Sequence, residues 1–131
     1  MITPEIGDTS AHDARVQVLI VEDSDDQRLL LRRYFERAGC DVRVAPNAEE
    51  AIVLCGAELP DLAVIDLVLP GMDGWELAAL LDKHHPDCII AITSVLNTED
   101  YPDGHAILPK PVSGATVRKM LHDWVPKWNA A

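Results

Sequence analysis

Five side chains that could perform chemistry follow apolar, strand-like runs of the sequence. They are Glu22, Asp23, Asp66, Thr93 and Lys110. The carboxyl ends of parallel strands lie at one edge of an open α/β sheet, so these side chains would meet there. When Asp66 is considered by itself, it also has a plainer interpretation as a turn residue, because Asp is common where strands end.

Three carboxylates at one place repel each other unless a cation neutralises them, and hard oxygen ligands of this kind suit Mg²⁺. The ammonium of Lys110 and the hydroxyl of Thr93 would complement the oxygens of a phosphoryl group. A carboxylate is already a nucleophile, so it can receive a phosphoryl group without a general base. Asp66 is the only one of the three acids on the central strand, and we expect it to be the acceptor.

Apolar strands that alternate with amphipathic helices must position these residues. Strands are predicted at residues 16–21, 42–45, 62–65, 88–93 and 106–108. Helices are predicted at about residues 24–38, 47–55, 75–83 and 113–125. This alternation is typical of a doubly wound α/β domain with a parallel sheet. The third strand has no polar alternation, which predicts burial on both faces.

Composition narrows the class of protein. The 131 residues suffice for one domain, predicted at residues 15–128 behind a disordered lead-in at residues 1–14. The net charge of −11 argues against nucleic acid or an anionic membrane as partner. Three widely spaced cysteines in apolar contexts indicate buried, reduced thiols, and no targeting or membrane-spanning segment is evident. A cytoplasmic location is expected.

Four motifs together resemble the receiver domains of two-component response regulators. They are VLIVED at the first strand, VIDLVLPGMDGWEL around the third, AITS at the fourth and LPKPV after the fifth, within about residues 16–124. The resemblance implies a flavodoxin-like five-stranded parallel sheet in the order 2-1-3-4-5. It also implies a signalling role in a phosphorelay, without enzymatic turnover, in which a histidine kinase or a phosphotransfer protein is the partner.

The resemblance assigns a role to each site residue. Asp66 would be the phospho-acceptor, Thr93 the switch hydroxyl and Lys110 the phosphoryl-binding cation. Mg²⁺ would be held by Glu22, Asp23, Asp66 and the main-chain carbonyl of Val68. A cis peptide bond between Lys110 and Pro111 is implied as well.

Several positions depart from the family pattern. Glu22 stands where Asp is commoner, and its longer side chain should still reach metal-bound water. Val68 and Val95 stand where polar residues would help to position an attacking water, which predicts a long-lived phospho-aspartate. Ile107 replaces the usual aromatic residue that moves inward with the switch threonine, so the usual coupling between the two is not expected.

The segment between the fourth and fifth strands is short. Sixteen residues separate Thr93 from Lys110, and residues 97–104 (NTEDYPDG) are polar and turn-like. The fourth helix of the family is therefore expected to be short or absent. Apolar sheet surface near the fourth and fifth strands would then lack its cover, so a partner protein or a second copy of the chain is expected to pack there.

Two other functions remain open at this stage. One is a receiver-like interaction domain that works without phosphorylation, which the complete set of five site residues disfavours. The other is a phosphohydrolase with Asp66 as nucleophile, which would need an acid two residues later, where Val68 stands. On the last predicted helix, Trp124 is expected in the apolar stripe. Trp128 lies beyond this helix, after Pro126, and is expected to be exposed.

Overall fold

Five parallel strands form a single sheet in the computed structural model, which describes residues 15–96, 99, 101 and 104–130. The strands are β1 (Gln17–Val21), β2 (Asp41–Ala45), β3 (Leu62–Asp66), β4 (Ile89–Thr93) and β5 (Ala106–Ile107). Their order is β2-β1-β3-β4-β5, and every neighbouring pair is parallel. The predicted fold and strand order are confirmed. The lead-in predicted for residues 1–14 lies outside the described residues.

Helices connect or follow the strands and cover both faces of the sheet. They are α1 (Asp25–Arg37), α2 (Ala48–Ala57), α3 (Gly74–His84), α4 (Gly114–Trp124) and α5 (Pro126–Ala130). The first four helices begin after side chains that accept a hydrogen bond from an N–H of the first turn: Ser24, Asn47, Asp73 and Ser113. None of the described helices is long and apolar enough to cross a membrane.

Two apolar clusters, one on each face of the sheet, make up the core. Because strand side chains alternate between faces, Ile65 packs in the cluster of α2 and α3, whereas Val64 packs in the cluster of α1 and α4. All five residues of β3 are buried, as its apolar sequence predicts. The cysteines are free and buried, also as predicted.

The connection between β4 and β5 contains no α-helix among its described residues, which agrees with the prediction that the fourth helix is short or absent. Residues 97, 98, 100, 102 and 103 lie outside the described part of the chain. The expectation that the apolar sheet surface lacks cover from the chain itself is wrong for β4, however. Ile90 and Ile92 are buried, and Tyr101 is buried in the same apolar cluster. An aromatic ring therefore covers β4 in a connection whose described residues form no α-helix.

The two C-terminal tryptophans exchange the roles predicted for them. Trp124 is exposed, because α4 buries Val117, Met120 and Leu121 instead. Beyond it, α5 starts at a proline, which suits the first helical position. This turn brings Trp128 back onto the core, where its indole N–H donates to the carbonyl of Ala38 at 2.9 Å.

Candidate functional site

The strand ends bring three carboxylates together. Glu22 and Asp23 follow β1, Asp66 ends β3, and these two strands are neighbours in the sheet. Carboxylate oxygens of the three residues lie within 4.8 Å of one another. Such proximity is unfavourable for three anions without a nearby cation.

Lys110 places its ammonium between two of these acids. Its Nζ donates to Oε1 of Glu22 at 2.6 Å and to Oδ2 of Asp66 at 2.8 Å. Burial lowers the pKa of Lys110, but the hydrogen bonds to both carboxylates outweigh it, so the pKa lies above its ordinary value. The lysine therefore stays charged. Its peptide bond to Pro111 is cis, as predicted.

Glu22 is fully buried at the end of β1. Its Oε2 accepts from the N–H of Ser24 at 3.1 Å, directly before α1. Burial raises the pKa of Glu22, and the neighbouring Asp66 carboxylate acts in the same direction. The Lys110 and Ser24 hydrogen bonds oppose this rise but do not cancel it. Asp23, by contrast, is exposed to solvent.

Asp66 is held by one hydrogen bond on each carboxylate oxygen. Oδ1 accepts from the N–H of Val68 at 2.9 Å, while Oδ2 faces Lys110. The start of α3 packs closely behind it, because a Cβ on Gly74 would lie 2.3 Å from the Asp66 carbonyl oxygen. Only glycine fits at that position, so the turn after β3 depends on it.

Thr93 is the register partner of Asp66 on the neighbouring strand β4. Its side chain is buried, and within the described ranges its hydroxyl has no hydrogen-bond partner. An unpaired buried hydroxyl costs about 1–3 kcal/mol. A group that arrives on Asp66 with free acceptor oxygens would remove this cost.

Valines occupy the positions two residues after Asp66 and two residues after Thr93. Val68 and Val95 are exposed, and so is Ile107 at the edge strand β5. None of these side chains can hold a water by a hydrogen bond.

Tyr101 lies close to the site, although it belongs to none of the motifs that predict site residues. Its hydroxyl donates to the carbonyl of Ser94, the residue after Thr93, at 2.9 Å. Burial raises the pKa of its phenol, and the charge of Asp66 acts in the same direction. The sequence signal for Tyr101 is that it is the one aromatic residue in the polar segment at residues 97–104.

A family model for the response regulator receiver domain matches residues 18–122. The chain belongs to this family. An uncharacterised 14.6 kDa protein from Leptolyngbya boryana is 43% identical over 90 residues, covering 66% of this chain and 69% of that protein. The transcriptional regulatory protein SrrA of Staphylococcus aureus is 37% identical over 78 residues, 60% of this chain. The match spans only 32% of SrrA, about a third of its length.

Solved receiver domains have the same fold. The Francisella response regulator 1452 receiver domain superposes with a TM-score of 0.76 at 26% identity, covering 88% of this chain and 98% of that one. In the present chain, the carboxylates, the lysine and the threonine of the predicted site lie at one edge of the sheet. The roles predicted for them, including the carbonyl of Val68 as a ligand, remain predictions.

Proposed function

We propose that this receiver domain accepts a phosphoryl group on Asp66 from a phosphohistidine of a histidine kinase or a phosphotransfer protein. The observation that carries the proposal is the Asp66 carboxylate itself, held between the Val68 N–H and the Lys110 ammonium. A carboxylate oxygen attacks phosphorus, and the P–N bond of the phosphohistidine breaks. The imidazole leaves with that electron pair and takes up a proton.

The acidic cluster fits Mg²⁺ because its donors are hard, anionic oxygens close to one another. Glu22, Asp23 and Asp66 would hold the ion together with the carbonyl of Val68. When bound, the ion neutralises charge on the phosphoryl oxygens. Lys110 adds a second positive charge, and Thr93 offers its unpaired hydroxyl to the phosphoryl group.

The same surroundings support a long-lived phospho-aspartate. Hydrolysis needs a water placed in line with the Asp66 Oδ–phosphorus bond. The exposed side chains of Val68 and Val95 offer no donor or acceptor to orient that water. The domain is proposed to retain its phosphoryl group rather than to turn over phosphate esters.

The output is proposed to be a protein contact at the β5 edge, with a partner protein or a second copy of the chain. Ile107 and Trp124 are 48% and 44% exposed, and both line one groove beside β5. Sedimentation before and after phosphorylation tests the second copy, and Ile107→Glu should abolish any mass increase. An unchanged mass in both states would exclude self-association.

The buried free thiols support a reducing compartment such as the cytoplasm.

The proposal is tested by incubating the protein with acetyl phosphate and Mg²⁺ and measuring its intact mass. One phosphoryl group is expected on the unaltered chain and none on Asp66→Asn. Asp73→Asn is the matched control, since Asp73 caps α3 outside the acidic cluster. Equal labelling of the unaltered chain and Asp66→Asn would overturn the assignment. No labelling of either would favour an interaction domain that works without phosphorylation.

A further inference from the structure

The carbonyl oxygen of Ser94 joins three parts of the molecule. It accepts the hydroxyl proton of Tyr101 at 2.9 Å and the backbone N–H of Lys110 at 3.1 Å. Ser94 also follows Thr93 directly in the chain. The two residues expected to contact the phosphoryl group, Thr93 and Lys110, are therefore both tied to the carbonyl that Tyr101 binds.

Apolar packing and one hydrogen bond restrain the side chain of Tyr101. Its ring is buried in the apolar cluster that includes Ile90, Ile92 and Leu77. A buried phenol needs a partner for its hydroxyl, and the Ser94 carbonyl is that partner. The ring thus fixes where the hydroxyl points, and the hydroxyl in turn restrains the end of β4.

We propose that Tyr101 is a positioning residue that holds Thr93, Ser94 and the Lys110 backbone in the unphosphorylated arrangement and releases them when Asp66 is phosphorylated. This inference rests on the proposed function. A phosphoryl group on Asp66 gives the unpaired Thr93 hydroxyl an acceptor and draws the Lys110 ammonium toward new oxygens. Both movements displace the Ser94 carbonyl, so the hydrogen bond from Tyr101 weakens or breaks.

Ile107 cannot perform this role, because its side chain is apolar and faces solvent. Tyr101 thus connects the site to the segment between β4 and β5 through a polar atom. The alternative is that Tyr101 only covers the sheet. Phe at position 101 would preserve that cover and remove only the hydroxyl, so Tyr101→Phe separates the two roles.

The first experiment uses the full chain labelled with 3-fluorotyrosine and observed by ¹⁹F NMR. The chain has two tyrosines, Tyr34 and Tyr101, and Tyr34→Phe assigns their signals. Acetyl phosphate and Mg²⁺ should shift the Tyr101 signal and leave that of Tyr34 in place. In Asp66→Asn neither signal should move. Intact mass measured on the same samples reports whether Asp66 carries phosphate.

The second experiment compares Tyr101→Phe with Tyr34→Phe, which removes the same atom from the other tyrosine. Loss of a restraint worth one hydrogen bond should speed labelling by acetyl phosphate about fivefold in Tyr101→Phe only. A phosphorylated chain with an unmoved Tyr101 signal, or equal rates in the two variants, would overturn the inference while the proposed function stands. An unaltered chain that takes up no phosphate would overturn both.

Discussion

The ammonium of Lys110 lies 2.8 Å from Oδ2 of Asp66, although 44 positions separate the two residues in the chain. The same ammonium lies 2.6 Å from Oε1 of the buried Glu22. The single ammonium thus offsets only part of the negative charge of the three carboxylates. Three consequences of this site, and one of the core around it, can be measured.

Lys110→Met should destabilise the metal-free protein, because it leaves the buried Glu22 without its cation. Removal of one partner from a buried ion pair costs about 3–5 kcal/mol. Urea denaturation measures the effect, and Mg²⁺ should restore part of the loss. Lys119→Met is the control, since Lys119 pairs with Asp123 on the exposed surface of α4. Equal denaturation midpoints for the two variants would contradict the account.

Gly74→Ala should disrupt the turn that presents Asp66. The added Cβ would lie 2.3 Å from the Asp66 carbonyl oxygen and 2.5 Å from the Leu67 Cα, so the backbone must move. Overpacking of this kind costs about 1–3 kcal/mol, and phosphorylation should slow as well. Gly56→Ala is the matched control.

Gly56 lies within α2, and a Cβ there meets nothing within 4 Å. Alanine should therefore stabilise α2 by about 0.5–1 kcal/mol, because it loses less backbone freedom than glycine on folding. Thermal denaturation compares the two variants. A Gly74→Ala protein as stable as Gly56→Ala would show that the close packing behind Asp66 is unimportant.

Val68→Asn should shorten the lifetime of the phospho-aspartate. The amide can orient a water that the valine cannot, and positioning effects of this kind are worth at least about tenfold in rate. The loss of phosphate is followed by intact mass after acetyl phosphate is removed. Val53→Asn makes the same change at an exposed position on α2 and should leave the lifetime unaltered. A loss of phosphate from Val68→Asn that is no faster than from the unaltered chain would refute the prediction.

The cysteine thiols should make the protein less stable at alkaline pH. Burial raises the pKa of Cys40 and of Cys88 from 9.0 to about 12. Between these values the folded chain keeps protons that the unfolded chain loses. The contribution of these two thiols to the free energy of unfolding is therefore complete below pH about 9 and is lost as the pH rises toward about 12.

Urea denaturation between neutral and alkaline pH measures this slope, and replacing both cysteines by alanine should flatten it. The native thiols of Cys40 and Cys88 should also react with a thiol reagent about a thousandfold more slowly than those of the unfolded chain, since only the thiolate reacts. Rapid modification of all three thiols in the native protein would contradict their burial.

The sequence predicts most of the site because its chemistry follows from strand ends. Apolar runs locate β1, β3 and β4, and parallel pairing then places Glu22, Asp66 and Thr93 at one edge of the sheet. An aromatic residue in a polar segment draws notice to Tyr101, but no local pattern predicts that its ring packs in the apolar cluster with Leu77 and Ile90 and covers β4.

The C-terminus illustrates the same limit. The helix predicted at residues 113–125 extends one residue past the end of α4, and Trp124, expected in its apolar stripe, is exposed. The proline at position 126 reads as a helix stop, yet it opens α5 and brings Trp128 onto the core. The direction of the chain after α4 depends on packing against Ala38, which no local pattern records.

The central claim is that Asp66 is the residue that carries the phosphoryl group. After incubation with acetyl phosphate and Mg²⁺, borohydride reduces an aspartyl phosphate to homoserine, and peptide mass spectrometry locates the change. The account predicts homoserine at position 66 and unmodified Asp23 in the same sample. Homoserine in place of another aspartate, with Asp66 intact, would contradict it.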